Sequence, residues 1–481
     1  VTTPRRLRNH AEISLGLFGK RQIEALHAAT LKILDRTGAA VHDAAALGLL
    51  KKAGARVEGE RVRMKPVLVE RALKTAPKSI QIYNRAGESA MRLEGWNSYY
   101  GTGSDCPSTM DADTGRHRPS TKADVGRIAL LCDRLANIDF CMSMGIASDA
   151  SRVTSFVHQF DAMVRNTSKP VLFTAHDEED MRDILSLAEI ATGDGRRQLE
   201  KRPRYVHYNE PVSPLHHTPK GVGKLLFCAE HRMPMIYIAS PMMGATAPVT
   251  MAGCIALANA EALSGLVIHQ LKNPGAPFIF GADASIMDMR TMIFSYGAPE
   301  LQMMNIAFAA LAHHYELPFF CIAGATDSKV LDAQAGTEMA VSLLVSALNG
   351  CNLIHDVGYL ETGLCCSMES IVLADEIIGM VKRYRAGLEI NAETLALDVI
   401  DAVGPQGDFM SHPHTVKHFR REVWYPQIFD RERHDAWSAA GGQPVDAAAR
   451  RKAHELLSTA QPQSFARAQT QAMDQVLSRR G

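Results

Sequence analysis

The chain has 481 residues, too many for one ordinary domain and suited to a barrel with extensions at both ends. Its 52 basic residues balance 52 acidic ones, so no basic excess marks a nucleic-acid or acidic-lipid partner, and neither is expected. Nine scattered Cys without a CxxC pair point to reduced thiols; the opening VTTPRRLRNHAEIS lacks a signal-peptide apolar core, and no stretch reaches the ~18 apolar residues of a membrane span, so a cytoplasmic location is expected.

Residues 20–55 read as helical, with Ile23, Leu26, Ala29, Leu31, Ile33 and Leu34 at near-helical spacing and a stop at Thr37-Gly38. Short β-like pieces follow at 57–62, 80–83 and 91–93, and residues 1–95 are expected to form a small α+β extension.

The pattern then changes. Eight short apolar runs, at 98–103, 138–146, 170–176, 205–211, 235–244, 277–283, 318–327 and 351–358, mostly end in Gly and polar residues. Their starts lie roughly 30 to 45 residues apart, about what a strand, a loop, a helix and a return loop consume. Eight such units predict a parallel α/β barrel of the TIM (β/α)8 type over 96–395. Helices fit the gaps at 122–134, 177–192, 221–231, 249–270, 298–314, 333–348 and 367–384. Capping signals open two of them, at Thr121 with Asp124 and at Asp177. Residues 396–481 are expected as an irregular and helical C-terminal extension. Its polar helices, within 444–481, would pack on the barrel or on a sister subunit of a homo-oligomer.

In a barrel the C-terminal strand ends share one mouth, so the motifs there fall together. Tyr99 and Tyr100 in the first run offer π faces that attract quaternary ammonium groups, each worth ~0.5–2 kcal/mol. Tyr208-Asn209-Glu210-Pro211, at the fourth strand, places a carboxylate on a stiff exposed turn where it can attract a cation or take a proton. Gly244-Ala245-Thr246 after the fifth strand is small enough for backbone N–H groups to approach a ligand, and Gly281 to Asp283 is a similar run. Gly324 to Lys329 ends the seventh. Lys329 there could act as an aldolase-type Schiff-base nucleophile, but it follows Asp327 and Ser328 beyond the strand, which favours a solvated amine. His355-Asp356-Val357-Gly358-Tyr359 is the densest cluster. Adjacent strand residues face opposite ways, and His355 is the one expected to point inward. With no HxH, HExxH or CxxC spacing, no metal is expected, and the glycine patterns of dinucleotide and P-loop sites are missing.

Several motifs in order resemble the trimethylamine methyltransferase superfamily of corrinoid-dependent barrel enzymes, over about 5–435. They are Asp111-Ala112-Asp113-Thr114-Gly115-Arg116 with Arg118-Pro119-Ser120, Asn209 to Pro214, Gly297-Ala298-Pro299-Glu300, Gly324 to Lys329 with Asp332 to Gly336, and His355 to Tyr359. The resemblance implies methyl transfer to the cobalamin of a partner corrinoid protein, with no cofactor held tightly by this chain. Superfamily members acting on trimethylamine carry pyrrolysine, and every residue here is standard. The resemblance is therefore to the members acting on quaternary amines such as glycine betaine. On that reading His355 and Glu210 are the catalytic candidates. Tyr99, Tyr100, Tyr208, Asn209, His355, Tyr359 and Lys329 would bind substrate, and Gly244, Ala245, Thr246, Gly281, Asp283, Gly324 and Asp327 would face the corrinoid. The alternatives are a lysine-dependent barrel aldolase and a non-catalytic subunit that binds a corrinoid protein.

Overall fold

The eight apolar runs become eight parallel strands whose hydrogen bonding closes on itself. In the computed structural model, which describes residues 15–480, they are Tyr99–Tyr100, residues 140–142, Val171–Phe173, Tyr205–Asn209, Met235–Ala239, Phe278–Ala282, Phe319–Ile322 and Leu353–His355. The opening segment VTTPRRLRNHAEIS lies outside the described residues. Seven strands form one parallel sheet in which strand eight pairs with strand one, and residues 140–142 complete the ring through Gly101 to Phe140 and Cys141 to Val171. The protein is therefore an α/β (β/α)8 barrel.

Strands covered on both faces should read as continuous apolar runs, and MIYIA and FIFGA are buried throughout. Successive residues still divide between two cores. Phe319 and Cys321 face the helical ring, whereas Phe320 faces the barrel interior. At the closure point a side chain on residue 101 would overlap the Phe140 ring, so Gly101 lets strands one and two meet.

Each strand is followed by a helix: Lys122–Arg134, Ser155–Asn166, Glu178–Thr192, Pro219–Glu230, Met251–Lys272, Pro299–Tyr315, Ala333–Leu348 and Met368–Ala386. The helix Ser155–Asn166 was not expected, because buried Gln159 and Asp161 interrupt its apolar stripe of Val157, Phe160, Met163 and Val164. Helix Met251–Lys272 is long and apolar enough to cross a membrane, yet most of it is buried. It packs on strands five and six on one side, and on helices Lys20–Lys32, Ala44–Lys52 and Pro66–Thr75 on the other. A helix covered all round needs no polar face.

The N-terminal segment 20–55 is not one helical stretch. Gly38, with φ of 74°, turns the chain into strand Ala39–Val41 before helix Ala44–Lys52 begins behind its Asp43 cap. The hairpin Ile80–Tyr83/Ser89–Leu93 then closes the barrel floor. Ile80, Ile82, Met91 and Leu93 pack against Phe140, Leu172, Val206, Ile236 and Leu353 from within. Its backbone bonds to Pro203 and Ser168, and Asn352 reaches Glu94 and Asn97, all at the N-terminal strand ends. The opposite end stays open, as the mouth.

At the C-terminus, helix Val445–Thr459 lies on Met368–Ala386 and Lys122–Arg134, and helix Arg467–Leu477 lies on Glu178–Thr192. Arg480 fastens the end to Asp180 at 2.7 Å and Asp183 at 3.3 Å. Within the extension 396–481, expected to be irregular and helical, residues 404–436 contain the helix Pro413–Glu422.

Ile82→Ala would leave a cavity where the hairpin plugs the floor. We expect a loss of about 2–5 kcal/mol, read as a shift in the denaturation midpoint. An unchanged midpoint would mean that the hairpin is not part of the cooperative core.

Candidate active site

Strand eight delivers His355 to the interior, and Asp356 follows with φ of 69°. An extended strand would send the two neighbours to opposite faces; the left-handed bend brings both to the mouth. His355 Nδ1 lies 2.6 Å from Asp356 Oδ1 without hydrogen-bond alignment, and neither ring nitrogen has an aligned partner among the described residues. The imidazole stacks on Phe320 of strand seven, with centroids 4.0 Å apart and planes at 17°. Tyr208 of strand four stands 5.8 Å from Phe320 and 6.2 Å from His355. Three rings from three strands therefore converge. Tyr296, on the loop after strand six, meets Tyr359 edge-on at 6.4 Å and lies beside Asp356.

Four carboxylates reach the same mouth from four strand ends: Asp105, Glu210, Asp283 and Asp356. Burial pushes Asp105 up to about 6, against hydrogen bonds from Ser104 and Thr174 that pull it down. Burial also raises Glu210, and it lifts Asp283 well above the usual carboxylate range with help from the charges on Glu210 and Asp356. Asp105 Oδ1 and Asp283 Oδ1 are buried with no hydrogen-bond partner among the described residues. Lys224, in helix Pro219–Glu230, is a cation acting on both Asp105 and Glu210. Its Nζ donates to the Ala175 carbonyl at 2.7 Å, and burial lowers its pKa.

Glu210 is exposed, and Asp105, Tyr208, Lys224 and Tyr296 are half-buried, yet burial is the largest cause of each one's shift. Side chains reached by water but flanked by protein line the wall of an open cleft. Its close packing shows at Gly103, where any side chain would strike the Asp356 carboxylate and the Tyr359 hydroxyl. Rings and partly neutralised carboxylates around one cleft can hold a compact cation that offers no hydrogen bond.

Of the expected site residues, the mouth brings together His355, Glu210, Tyr208, Tyr359 and Asp283. Tyr359 is fully packed in, and its hydroxyl donates to the Ser104 carbonyl. The others sit elsewhere. Tyr99 lies on the floor, where its hydroxyl accepts from the Arg92 N–H at 3.0 Å, because its position is at the start of strand one. Tyr100, one residue on, points outward under Lys382, whose Nζ is 5.4 Å from the ring centroid. Asn209 alternates outward too and donates to the Gly221 carbonyl at 2.8 Å. Lys329 is exposed, with Nζ on its own loop at the Asp327 carbonyl, so it is not the mouth amine that the aldolase reading called for.

The loop at Gly244, Ala245 and Thr246 makes no anion nest, since the N–H groups of Ala245 and Thr246 turn back onto the Met242 carbonyl and that of Gly244 onto the Ala247 carbonyl. Gly281 makes room for Ile238, and Gly324 packs against Val357 and Leu343. Asp327 braces the loop after strand six by accepting from Ser295 Oγ and from the Tyr296 N–H at 2.7 Å.

Asp105, Lys224, Tyr296, Phe320 and Asp356 were missed. Phe320 and Asp105 carried a signal, one as the inward member of an alternating strand and the other just past the first run. Lys224 sits in a helix and Tyr296 on an added hairpin loop, where periodicity says nothing about the mouth. Among the described residues, one set of ligand types stands close enough for a metal: His117, on the hairpin after strand one, with Glu361 and Cys365, after strand eight. His117 and Glu361 are already paired at 3.2 Å.

A family profile described as trimethylamine methyltransferase (MTTB) matches residues 4–481. A trimethylamine methyltransferase from Desulfitobacterium hafniense is 31% identical over 448 residues, covering 93% of this chain and 90% of its own. A glycine betaine methyltransferase from another strain of that organism is 32% identical over 421 residues, covering 87% of each. The crystal structure of the Methanosarcina barkeri monomethylamine methyltransferase aligns over 92% of this chain and 88% of its own, with a TM-score of 0.49 and 10% identity.

Because its carboxyl is held at about 6, Asp105 gains charge as pH rises through that value, and cation binding should tighten in the same direction. A bound cation that lowers this pKa by about one unit binds about tenfold more tightly once the group is ionised. Calorimetric titration with tetramethylammonium should show that rise, and Asp105→Asn should flatten it. A pH-independent affinity in the unaltered protein would contradict the assignment.

Proposed function

The chain belongs to the trimethylamine methyltransferase (MTTB) family and is a methyltransferase, and we propose that it moves a methyl group from a quaternary amine, glycine betaine or a related betaine, to cobalt(I) of the corrinoid carried by a separate protein. The observation that carries this reading is the cleft itself. The rings of Tyr208, Phe320 and His355 converge beside Asp105, Glu210 and Asp283, whose pKa values are raised.

A quaternary nitrogen has no proton to donate, so it is recognised by ring faces and negative potential rather than by hydrogen bonds. It is also a competent leaving group. As the acceptor gives its electron pair to the methyl carbon, the C–N bonding pair stays on nitrogen, and a neutral tertiary amine departs. A tertiary amine would leave as an amide anion unless it were first activated. The protein's task is then orientation: holding one N-methyl group toward the open mouth, in line with the acceptor.

Positive charge on nitrogen falls along that path, so a cleft of fully ionised carboxylates would stabilise the substrate more than the transition state. Burial tempers this by moving Asp105, Glu210 and Asp283 toward their neutral forms, while Lys224 offsets part of the remaining charge. Glu210 and His355 stand at the open end, next to Tyr208, where they touch the substrate rather than supply a proton.

The acceptor, as a co-substrate on another protein, must approach from outside. The rim suits an apolar contact: Met289, Met292 and Ile293 are exposed on the hairpin after strand six, beside Val249. The tip Gly244, Ala245 and Thr246 lies there too, with Gly244 close to Val249 and Met289. It would serve as contact surface and not as an amide nest.

Purified protein should convert a reduced corrinoid protein to its methyl-cobalt form, followed by absorbance, with a betaine as donor. Trimethylamine should give no such change. Tyr208→Ala removes one ring worth ~0.5–2 kcal/mol, so kcat/KM should fall about 2- to 30-fold. No methyl-cobalt signal with any quaternary amine would sink the proposal.

A further inference from the structure

Strands one and eight adjoin in the barrel, and the loops that leave them build a small four-stranded sheet on the mouth side. Its strands are, in order, Tyr359–Leu360, Cys365–Cys366, Ser108–Met110 and His117–Pro119. His117, Glu361 and Cys365 come together there, with one ligand atom from each lying within 4.8 Å of the other two. Sequence spacing gives no sign of this, since His117 and Glu361 are 244 residues apart.

Glu361 reaches His117 from a strained turn. Glu361, Thr362 and Gly363 take φ of 52°, 53° and 82°, so two residues with side chains, one of them β-branched, sit in the left-handed region. Neighbouring loops hold them there. The Glu361 N–H donates to the Ser328 carbonyl at 2.7 Å, and the Thr362 N–H to the Thr326 carbonyl at 3.0 Å. Thr362 Oγ1 donates to the Phe294 carbonyl, and the Cys106 thiol donates to the Gly363 carbonyl at 3.1 Å. One turn after strand eight therefore joins the loops after strands one, six and seven. An exposed ion pair contributes little and does not by itself explain such strain; a site that must fix a carboxylate does.

The donors identify the ligand. Imidazole, carboxylate and thiolate together suit zinc, whereas magnesium and calcium take oxygen. Nitrogen and oxygen ligands ~2.0–2.1 Å from a tetrahedral zinc stand about 3.3 Å apart. His117 Nε2 and Glu361 Oε2 stand 3.2 Å apart. A thiolate at ~2.3 Å from the ion would lie about 3.6 Å from each, so the sulfur needs to move by little more than about an ångström at most. His117 is exposed and Glu361 half-buried, so both can turn to close that gap. Cys365 is buried, and its thiol meets the Cys366 carbonyl at 3.6 Å, a long contact that an ion would replace. Arg118, next to His117 in the chain, does not compete for Glu361, because it is committed to Asp111 and Asp124. Three protein donors leave a fourth position for water, on the exposed side of His117.

We propose that His117 Nε2, a Glu361 carboxylate oxygen and the Cys365 thiolate bind one zinc-type divalent ion, which fastens the loops after strands one and eight to each other beside the mouth. The test uses the full chain alone, treated with a chelator, so that no corrinoid cobalt is present. Titrated cobalt(II) binds at one equivalent per chain with a thiolate-to-metal charge-transfer band and the visible bands of a tetrahedral ion, and zinc displaces it. Cys365→Ser removes the charge-transfer band. His117→Ala and Glu361→Gln each weaken binding at least about tenfold, since loss of a direct ligand costs no less than loss of a group behind one. Zinc raises the denaturation midpoint of the unaltered chain and not that of His117→Ala, and it slows hydrogen exchange over 108–119 and 359–366. His117 and Glu361 are not buried, so their variants keep the test open if Cys365→Ser fails to fold. Absence of stoichiometric binding overturns the proposal. So does a charge-transfer band that survives Cys365→Ser, which would put the ion on other thiols, or an affinity indifferent to His117→Ala and Glu361→Gln.

Discussion

Closure of the strand ring at its narrowest joint is the constraint on which the rest depends. Strand one contributes only Tyr99 and Tyr100 to the regular sheet, and it meets strand two through Gly101 and Phe140. Any side chain at 101 would displace that ring. Once the ring closes, strand one can no longer slide. Tyr99 is committed to the floor, Gly103 is pressed against Asp356 and Tyr359, and Asp105 is carried over the mouth. The floor hairpin works with it, filling the interior from below so that the space left for a ligand is at the other end.

The mouth that results combines two demands that oppose each other. Holding a cation that makes no hydrogen bonds calls for rings and negative charge; releasing it as a neutral amine calls for that charge to be weak. Burial meets both, since a carboxylate flanked by protein resists ionisation yet still responds to a nearby cation. Lys224 belongs to the same balance. It is tied to the Ala175 carbonyl and acts on Asp105 and Glu210, so it moderates the field without occupying the ring-lined space.

Charge tells a similar story at the surface. A balance of 52 against 52 hides an acidic run over 389–408 and a basic run over 409–421 that adjoin each other. Whole-chain composition averages such segregation away.

Barrel architecture was legible in the sequence because strands covered on both faces must be apolar throughout, and eight such runs at regular spacing leave few other folds. His355, Tyr208, Glu210, Asp283 and Tyr359 were legible for a related reason: residues at strand ends share one mouth whatever the details. Which face each residue takes was not legible. Tyr99 and Tyr100 differ from a mouth position by a few ångströms of register and by one alternation, and only the closed ring sets both. Asp356 reaches the mouth through a left-handed bend that no spacing announces, while Lys224 and Tyr296 arrive from a helix and an added hairpin loop. The sequence alone determined the repeat and the chemistry stationed at its ends, because both follow from local pattern. Only tertiary structure decided which of those groups meet, because that depends on contacts between segments far apart in the chain.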